Sequence, residues 1–168
     1  MSEGVQGHRE SAPETIRVAV LTISDTRLPE TDTGGDVAEE LMRGAGHEVV
    51  ARGIVRDEAA SIRNNLIDLL ARSDVDVVVT TGGTGISARD TTYEVVDRMI
   101  EKKLDGFGEL FRMLSYPKIG TSTLQSRADA GVANGTYIFC LPGSPGACRD
   151  GGRARVADGQ GEARSQGR

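Results

Sequence analysis

The sequence predicts a single α/β domain, doubly wound around a mostly parallel sheet, with one β-hairpin excursion. Three observations carry this prediction. Residues 16–23 (IRVAVLTI) and 75–80 (VDVVVT) are short, almost uninterrupted β-branched runs, as expected of strands buried on both faces. Stripes of apolar residues at helical spacing alternate with these runs. Asn134-Gly135 then lies between two strand-like segments, and both residues tolerate the positive φ that a tight hairpin needs.

The elements follow in order. Residues 1–15 are polar and predict a disordered start to a domain spanning 16–150. After the first strand comes a polar loop with Pro29, Asp32, Gly34 and Gly35, then a helix over about 35–43, stopped by Gly44 and Gly46. Residues 48–55 alternate weakly, as a second strand. Asp57 stands where a helix N-cap belongs, with Ile62, Leu66, Leu69 and Leu70 behind it on one apolar face. The strand at 75–80 breaks into Thr81-Gly82-Gly83-Thr84-Gly85. Thr91 and Glu94 have the spacing of a capping box, and Val96, Ile100 and Leu104 extend a helical stripe. A short helix over 109–116 is expected to end before Pro117, with strands at 125–132 and 136–141 around the Asn-Gly turn. Ser144 followed by Pro145 suits a helix start. From Arg149 the chain is rich in Gly and Arg without period, so 151–168 is expected to form a disordered tail.

Composition removes several functional classes. A net charge of −5 and the lack of a basic run argue against a nucleic-acid surface. No apolar segment reaches signal-peptide or membrane-spanning length, which predicts a cytoplasmic protein without membrane association. Cys140 and Cys148 do not form a CxxC pair, and only His8 and His47 are available, so zinc is not expected. Cys140 reads as a small buried hydrophobe, Cys148 as a candidate for exposure, and His47 as solvent-facing.

The glycine-rich turn after the third strand is the sharpest local feature. Glycines let backbone amides approach an anion, and a following helix start adds positive potential, so phosphate is the natural guest. An ordinary strand–helix turn would also need glycine for its φ angles. A P-loop is excluded, because Gly85 is followed by Ile86-Ser87 and not by Lys-Ser/Thr. Gly83-x-Gly85-x-x-Ala88 fits the loose dinucleotide fingerprint. However, the next helix begins only near Thr91, and Asp105 lies beside a glycine loop, so NAD is not expected. Asp25, Asp57 and Asp90 each follow a strand or its loop. Carboxylates there suit Mg²⁺ bridging phosphate oxygens, while turn or cap roles remain open for each. Residues 142–146 (PGSPG) form either a second ligand turn or a rigid connection.

Together, residues 21–25 (LTISD), 80–85 (TTGGTG) with 89–92 (RDTT), and 141–146 (LPGSPG) resemble the molybdopterin-binding MoaB/Mog family. Residues 115–123 (SYPKIGTST) and 125–128 (QSRA) lean towards its MoaB branch. The resemblance covers about residues 16–150, in unbroken order. It implies a three-layer molybdopterin-binding-like fold, assembly as a homotrimer or homohexamer, and molybdopterin as ligand. In the adenylyltransferase members the terminal phosphate of the pterin attacks the α-phosphate of ATP with Mg²⁺, releasing pyrophosphate. Non-catalytic binding or assembly in the same pathway is the alternative. By motif, Gly82, Gly83, Thr84 and Gly85, with Pro142, Gly143 and Ser144, would hold the pterin side. Ser24 and Asp25 would lie near the nucleotide, and Asp57 and Asp90 would act in catalysis and as Mg²⁺ ligands. Two features depart from the family: Tyr93 replaces a usual Pro, and the chain after Asp150 lacks the family's long amphipathic helix and final apolar segment.

Overall fold

A computed structural model describes residues 15–153; the expected disordered start and tail lie outside this range, except for Thr15 and residues 151–153. The strands are β1 (Arg17–Ile23), β2 (Glu48–Val55), β3 (Val77–Thr81), β4 (Lys102–Lys103), β5 (Asp129–Ala133) and β6 (Thr136–Leu141). The helices are α1 (Thr33–Gly44), α2 (Ala59–Ala71), α3 (Thr92–Met99), α4 (Asp105–Ile119) and α5 (Pro145–Arg153). Short 3₁₀ turns occupy Pro29–Thr31 and Gly120–Gln125.

The strands form one sheet in the order β2-β1-β3-β6-β5-β4. β2, β1, β3 and β6 run parallel, and β5 and β4 add antiparallel neighbours. The mostly parallel sheet with a hairpin excursion is therefore as the sequence predicts. Asn134 and Gly135 adopt φ of 48° and 72°, the paired positive angles of a two-residue hairpin turn.

Period-two alternation along the central strands divides the core into two layers. Val18, Val20, Val77, Val79, Phe139 and Leu141 face α1, α4 and α5, where Met42, Phe107 and Phe111 close the layer. Ala19, Leu21, Ile23, Val78, Ile138 and Cys140 face α2 and α3, against Ile62, Leu66, Val95 and Val96. All three phenylalanines pack in the first layer, and the second rests on β-branched and aliphatic side chains. Among the described residues, no helix is long and apolar enough to cross a membrane.

Several local expectations need correction. Asp57 is not the N-cap of α2; Glu58 takes that position, and no side chain caps the helix. The Thr91–Glu94 capping box does not form, because Thr91 bonds to Asp57 and Glu94 pairs with Arg127. The α3 stripe ends at Met99 and does not reach Leu104. α4 is longer than expected, running from Asp105 through Pro117 to Ile119. Residues 125–128 fall before β5. α5 continues to Arg153, because buried Asp150 accepts from Ser115 Oγ at 3.1 Å and pairs with Lys118. That anchor is polar and leaves no apolar period to read. Cys148 is buried, and both ring nitrogens of His47 are covered without a partner.

α1 shows how charge fixes the entry to the fold. Its N-cap, Asp32, is fully buried and accepts from Gly35 N at 3.0 Å and Thr22 Oγ1 at 2.7 Å. Arg52 on β2 donates to the same carboxylate at 3.0 Å and also pairs with Asp36 and Glu39. At the other end, Gly46 at φ 86° lets its own amide and that of His47 bond Arg43 and Met42 carbonyls, a Schellman closure. Asp32→Ala leaves the buried Thr22 hydroxyl and the Gly35 amide without their acceptor and removes one of three acidic partners of Arg52, so urea unfolding should show a loss of about 3 kcal/mol. A loss under about 0.5 kcal/mol would mean the network contributes no more than an exposed ion pair.

Burial pushes the Cys140 thiol up to about 12, with a smaller opposing effect from the Thr80 hydroxyl. An unfolded thiol titrates near 8.5, so only the unfolded chain loses this proton as pH rises from about 9 towards 12. Stability should therefore be intact below pH 8 and fall through that window, by up to about 1.4 kcal/mol per pH unit for this group. Cys140→Ala should flatten the slope in an alkaline denaturation series. Rapid alkylation of Cys140 in native protein at pH 8 would contradict the burial.

Candidate functional site

Four parallel strands deliver their carboxyl ends to one edge of the sheet, where doubly wound proteins bind ligands. β1 ends at Ser24-Asp25, β2 at Arg56-Asp57, β3 at the Gly82–Gly85 turn and β6 at the Pro142–Ser144 turn.

The β3 turn is set by space as much as by torsion. A Cβ on Gly82, whose φ is 104°, would lie 2.2 Å from the Ile23 carbonyl oxygen. One on Gly143 would lie 3.0 Å from Gly82 Cα. The Gly82 amide donates to Leu141 O at 3.0 Å, so the β3 and β6 turns are joined through backbone. Thr81 Oγ1 adds a bond to Pro142 O at 3.3 Å. Ser144 Oγ caps α5 by accepting from Ala147 N at 3.1 Å, with Pro145 in the first turn, as its sequence position predicts.

Asp57 meets the same turn from β2. Its Oδ1 accepts from Thr91 N at 3.2 Å and Thr91 Oγ1 at 3.1 Å, while a Cβ on Gly83 would sit 2.7 Å from Oδ2. Gly83, with φ 62°, also leaves no room for a side chain beside Thr92 Oγ1, at 2.1 Å. That hydroxyl is buried and has no hydrogen-bond partner. Asp25 Oδ1 accepts from the Asp57 amide at 3.3 Å, and its Oδ2 pairs with Arg89 at 2.5 Å. Asp25 thus ties the ends of β1 and β2 to the far side of the glycine loop.

Asp90 closes that loop on itself. One oxygen accepts from Ser87 N at 2.9 Å and Ser87 Oγ at 2.6 Å. The Ser87 hydroxyl, then the Ser87 and Gly85 amides and the charge of Arg127, hold its carboxyl below the usual range, against burial. Arg127, just before β5, donates to Thr84 O at 2.9 Å, to Gly85 O and to Glu94, with its guanidinium 4.9 Å from the Tyr93 ring centre.

A cavity of about 640 Å³ opens at the ends of β1 and β2. Ser24, Asp25, Arg27, Arg52 and Arg56 line it, over a floor of Gly53, Ile54 and Val55. The Gly82–Gly85 and Pro142–Ser144 turns are not part of its lining. Two links join them to it: Arg27 donates to Gly143 O at 3.5 Å, and Asp25 bonds Asp57. The sequence-predicted residues therefore fall into two adjoining groups, Ser24 and Asp25 in the cavity, and the turns with Asp57 and Asp90 beside it. The arginines of the cavity and Arg127 were not among the predicted site residues. Arg27 and Arg56 stand beside Asp25 and Asp57 in sequence but carry no local mark of a cavity wall, while Arg127 reaches Gly85 from 42 residues away.

Mg²⁺ fits the donor set on one condition. Asp57 Oδ2 and Asp90 Oδ1 are hard oxygens, yet no group of three or more His, Cys, Asp or Glu among the described residues forms a metal cage. A cation here needs further oxygen ligands from phosphate or water.

The comparisons with known proteins agree with this architecture. A family profile described as a probable molybdopterin binding domain matches residues 19–157. Molybdenum cofactor biosynthesis protein B of Halalkalibacterium halodurans is 47% identical over 146 residues, covering 86% of each chain. Its counterpart in Escherichia coli K12 is 48% identical over 133 residues, 79% of this chain and 78% of that protein. A crystal structure of a molybdenum cofactor biosynthesis protein B superposes with a TM-score of 0.83 at 44% identity, covering 88% of this chain and 92% of the other. A tungsten cofactor synthesizing protein, MoaB from Pyrococcus furiosus, gives 0.76 at 37% identity, covering 84% and 91%. With the sheet order, the paired glycine turns and these relatives in agreement, the chain belongs to the MoaB/Mog family of molybdenum cofactor biosynthesis proteins.

Proposed function

We propose that the protein binds molybdopterin at the Gly82–Gly85 and Pro142–Ser144 turns and adenylylates it with ATP and Mg²⁺. The observation that carries this reading is the junction at Asp57. One of its oxygens is fixed by Thr91, the other faces the glycine turn, and its amide is bonded to Asp25 at the cavity wall. A phosphate held over the turn and a nucleotide held in the arginine-lined cavity would meet there. The cavity combines an apolar floor with three arginines, which suits a base and sugar on one side and phosphates on the other. Mg²⁺ would be held by Asp57 and Asp90 and would supply charge neutralisation on the phosphate oxygens. In such in-line transfer the protein's part is chiefly positioning, so no histidine base is required.

One observation favours a second reading, non-catalytic pterin binding in the same pathway. Asp90 already spends one oxygen on Ser87. Assembly as a trimer or hexamer belongs to both readings. It is supported by the apolar stripe of Leu110, Met113, Tyr116 and Ile119 on α4 with Leu124, all exposed in the single chain.

Purified protein incubated with molybdopterin, ATP and Mg²⁺ should release pyrophosphate. Tight pterin binding without release would establish the second reading, and neither binding nor release would refute both. Asp90→Asn should lower turnover by about 100-fold while changing molybdopterin affinity less than about threefold. Equal losses in both would assign Asp90 to loop structure alone.

A further inference from the structure

We infer that Arg127, gripped by Tyr93 and Glu94, is the positioning residue of the glycine turn, and that Tyr93 is the residue of this chain that locks it in place. The inference rests on the pterin-site reading for its ligand, while its structural half stands apart from that reading.

Arg127 lies 42 residues beyond Gly85, yet its guanidinium meets two consecutive carbonyls of the turn, Thr84 O and Gly85 O. Each carbonyl shares a planar trans peptide with the next amide, whose N–H points the opposite way. Fixing the Thr84 and Gly85 carbonyls towards Arg127 therefore turns the Gly85 and Ile86 amides away from it. After the Ser87 hydroxyl and amide, the Gly85 amide is then among the donors that hold the Asp90 carboxyl below its usual range. Glycine alone supplies no such preference; at Gly82 and Gly83 it only permits the φ values. A planar fork able to serve two carbonyls and a carboxylate at once is a property of arginine and not of lysine.

The fork is itself held on its flat side. Arg127 Cζ lies 4.9 Å from the Tyr93 ring centre, within cation–π range. Lys103 Nζ lies 5.7 Å from the same ring and is bound to Asp97 at 2.5 Å and to buried Asp129 at 3.0 Å. Glu94, one residue on from Tyr93, takes the guanidinium edge and is held below its usual range by that arginine. Tyr93 thus joins the turn's clamp to β4 and the start of β5. A proline at position 93 would offer no ring face to either cation.

The clamp sits at the rim, with about a quarter of the Arg127 side chain exposed, so its loss should loosen the turn without unfolding the sheet. The test compares the wild type with Arg127→Met, Tyr93→Leu and Tyr93→Phe by amide hydrogen exchange and by molybdopterin titration. Arg127→Met should speed exchange at residues 82–90 by about tenfold, leave β3 protection unchanged and weaken molybdopterin binding by about tenfold. Tyr93→Leu should give the same pattern at smaller size, and Tyr93→Phe, which keeps the ring face, should match the wild type. Unchanged exchange at 82–90 in either of the first two variants, with β3 still protected, overturns the inference. So does a loosened turn with undiminished affinity. If Arg127→Met does not fold, Tyr93→Leu against Tyr93→Phe decides. If the wild type binds no molybdopterin, the proposed function falls, and the exchange rates of the free protein alone decide whether Arg127 orders the turn.

Discussion

No side chain fits at residue 82, and the arrangement of the whole edge follows from that. The Gly82 Cα is wedged between the end of β1 and the turn after β6, with the Ile23 carbonyl on one side and Gly143 on the other. Because it is wedged there, the β3 and β6 turns share a backbone hydrogen bond and act as one surface. A single Cβ would push apart three strands that pack as a layer, and the cost would fall on the core before it reached any ligand.

Charge completes what backbone packing begins. The edge carries several acids, and most are engaged by donors from another element. Asp25 takes Arg89 and the Asp57 amide, Asp57 takes Thr91, Asp90 takes Ser87, and Glu94 takes Arg127. The Asp25–Arg89 and Asp57–Thr91 bonds cross from the strand ends to the loop before α3, Asp90–Ser87 closes that loop on itself, and Arg127 holds it from the start of β5, so the loop is fixed at several points along its length. Fixed donors and acceptors are what positional catalysis or selective anion binding needs, since they require no rearrangement when the ligand arrives.

The fold was largely legible because its strands are continuous apolar runs and its turns carry residues with specific φ demands. Residues 48–55 and 136–141 coincide with β2 and β6, and Asn134-Gly135 forms the hairpin turn. Where local signals misled, a distant partner had taken the side chain. Thr91 and Glu94 have capping-box spacing, but Asp57 and Arg127 outcompete the local bonds. Pro117 looked like a stop, yet α4 passes through it, with Ser115 and Lys118 on either side bound to Asp150. The glycine turns and their acids stood out in the sequence because glycine after a parallel strand serves either a ligand or a tight turn, and the structure brings Gly82, Gly143 and Asp57 to one edge. Arg27, Arg52, Arg56 and Arg127 did not, because arginine on a strand or loop has no local signature until topology sets its neighbours.

Under the proposed function, the two glycine turns and the neighbouring cavity form one ligand surface. Backbone amide chemical shifts followed during titration with molybdopterin test it most directly. Coordinated shifts are expected at Gly82, Gly83, Thr84, Gly85, Gly143 and Ser144, with further shifts at Ser24 and Asp25 when ATP and Mg²⁺ are added. Shifts confined to another face of the sheet, or none at saturating ligand, would contradict it.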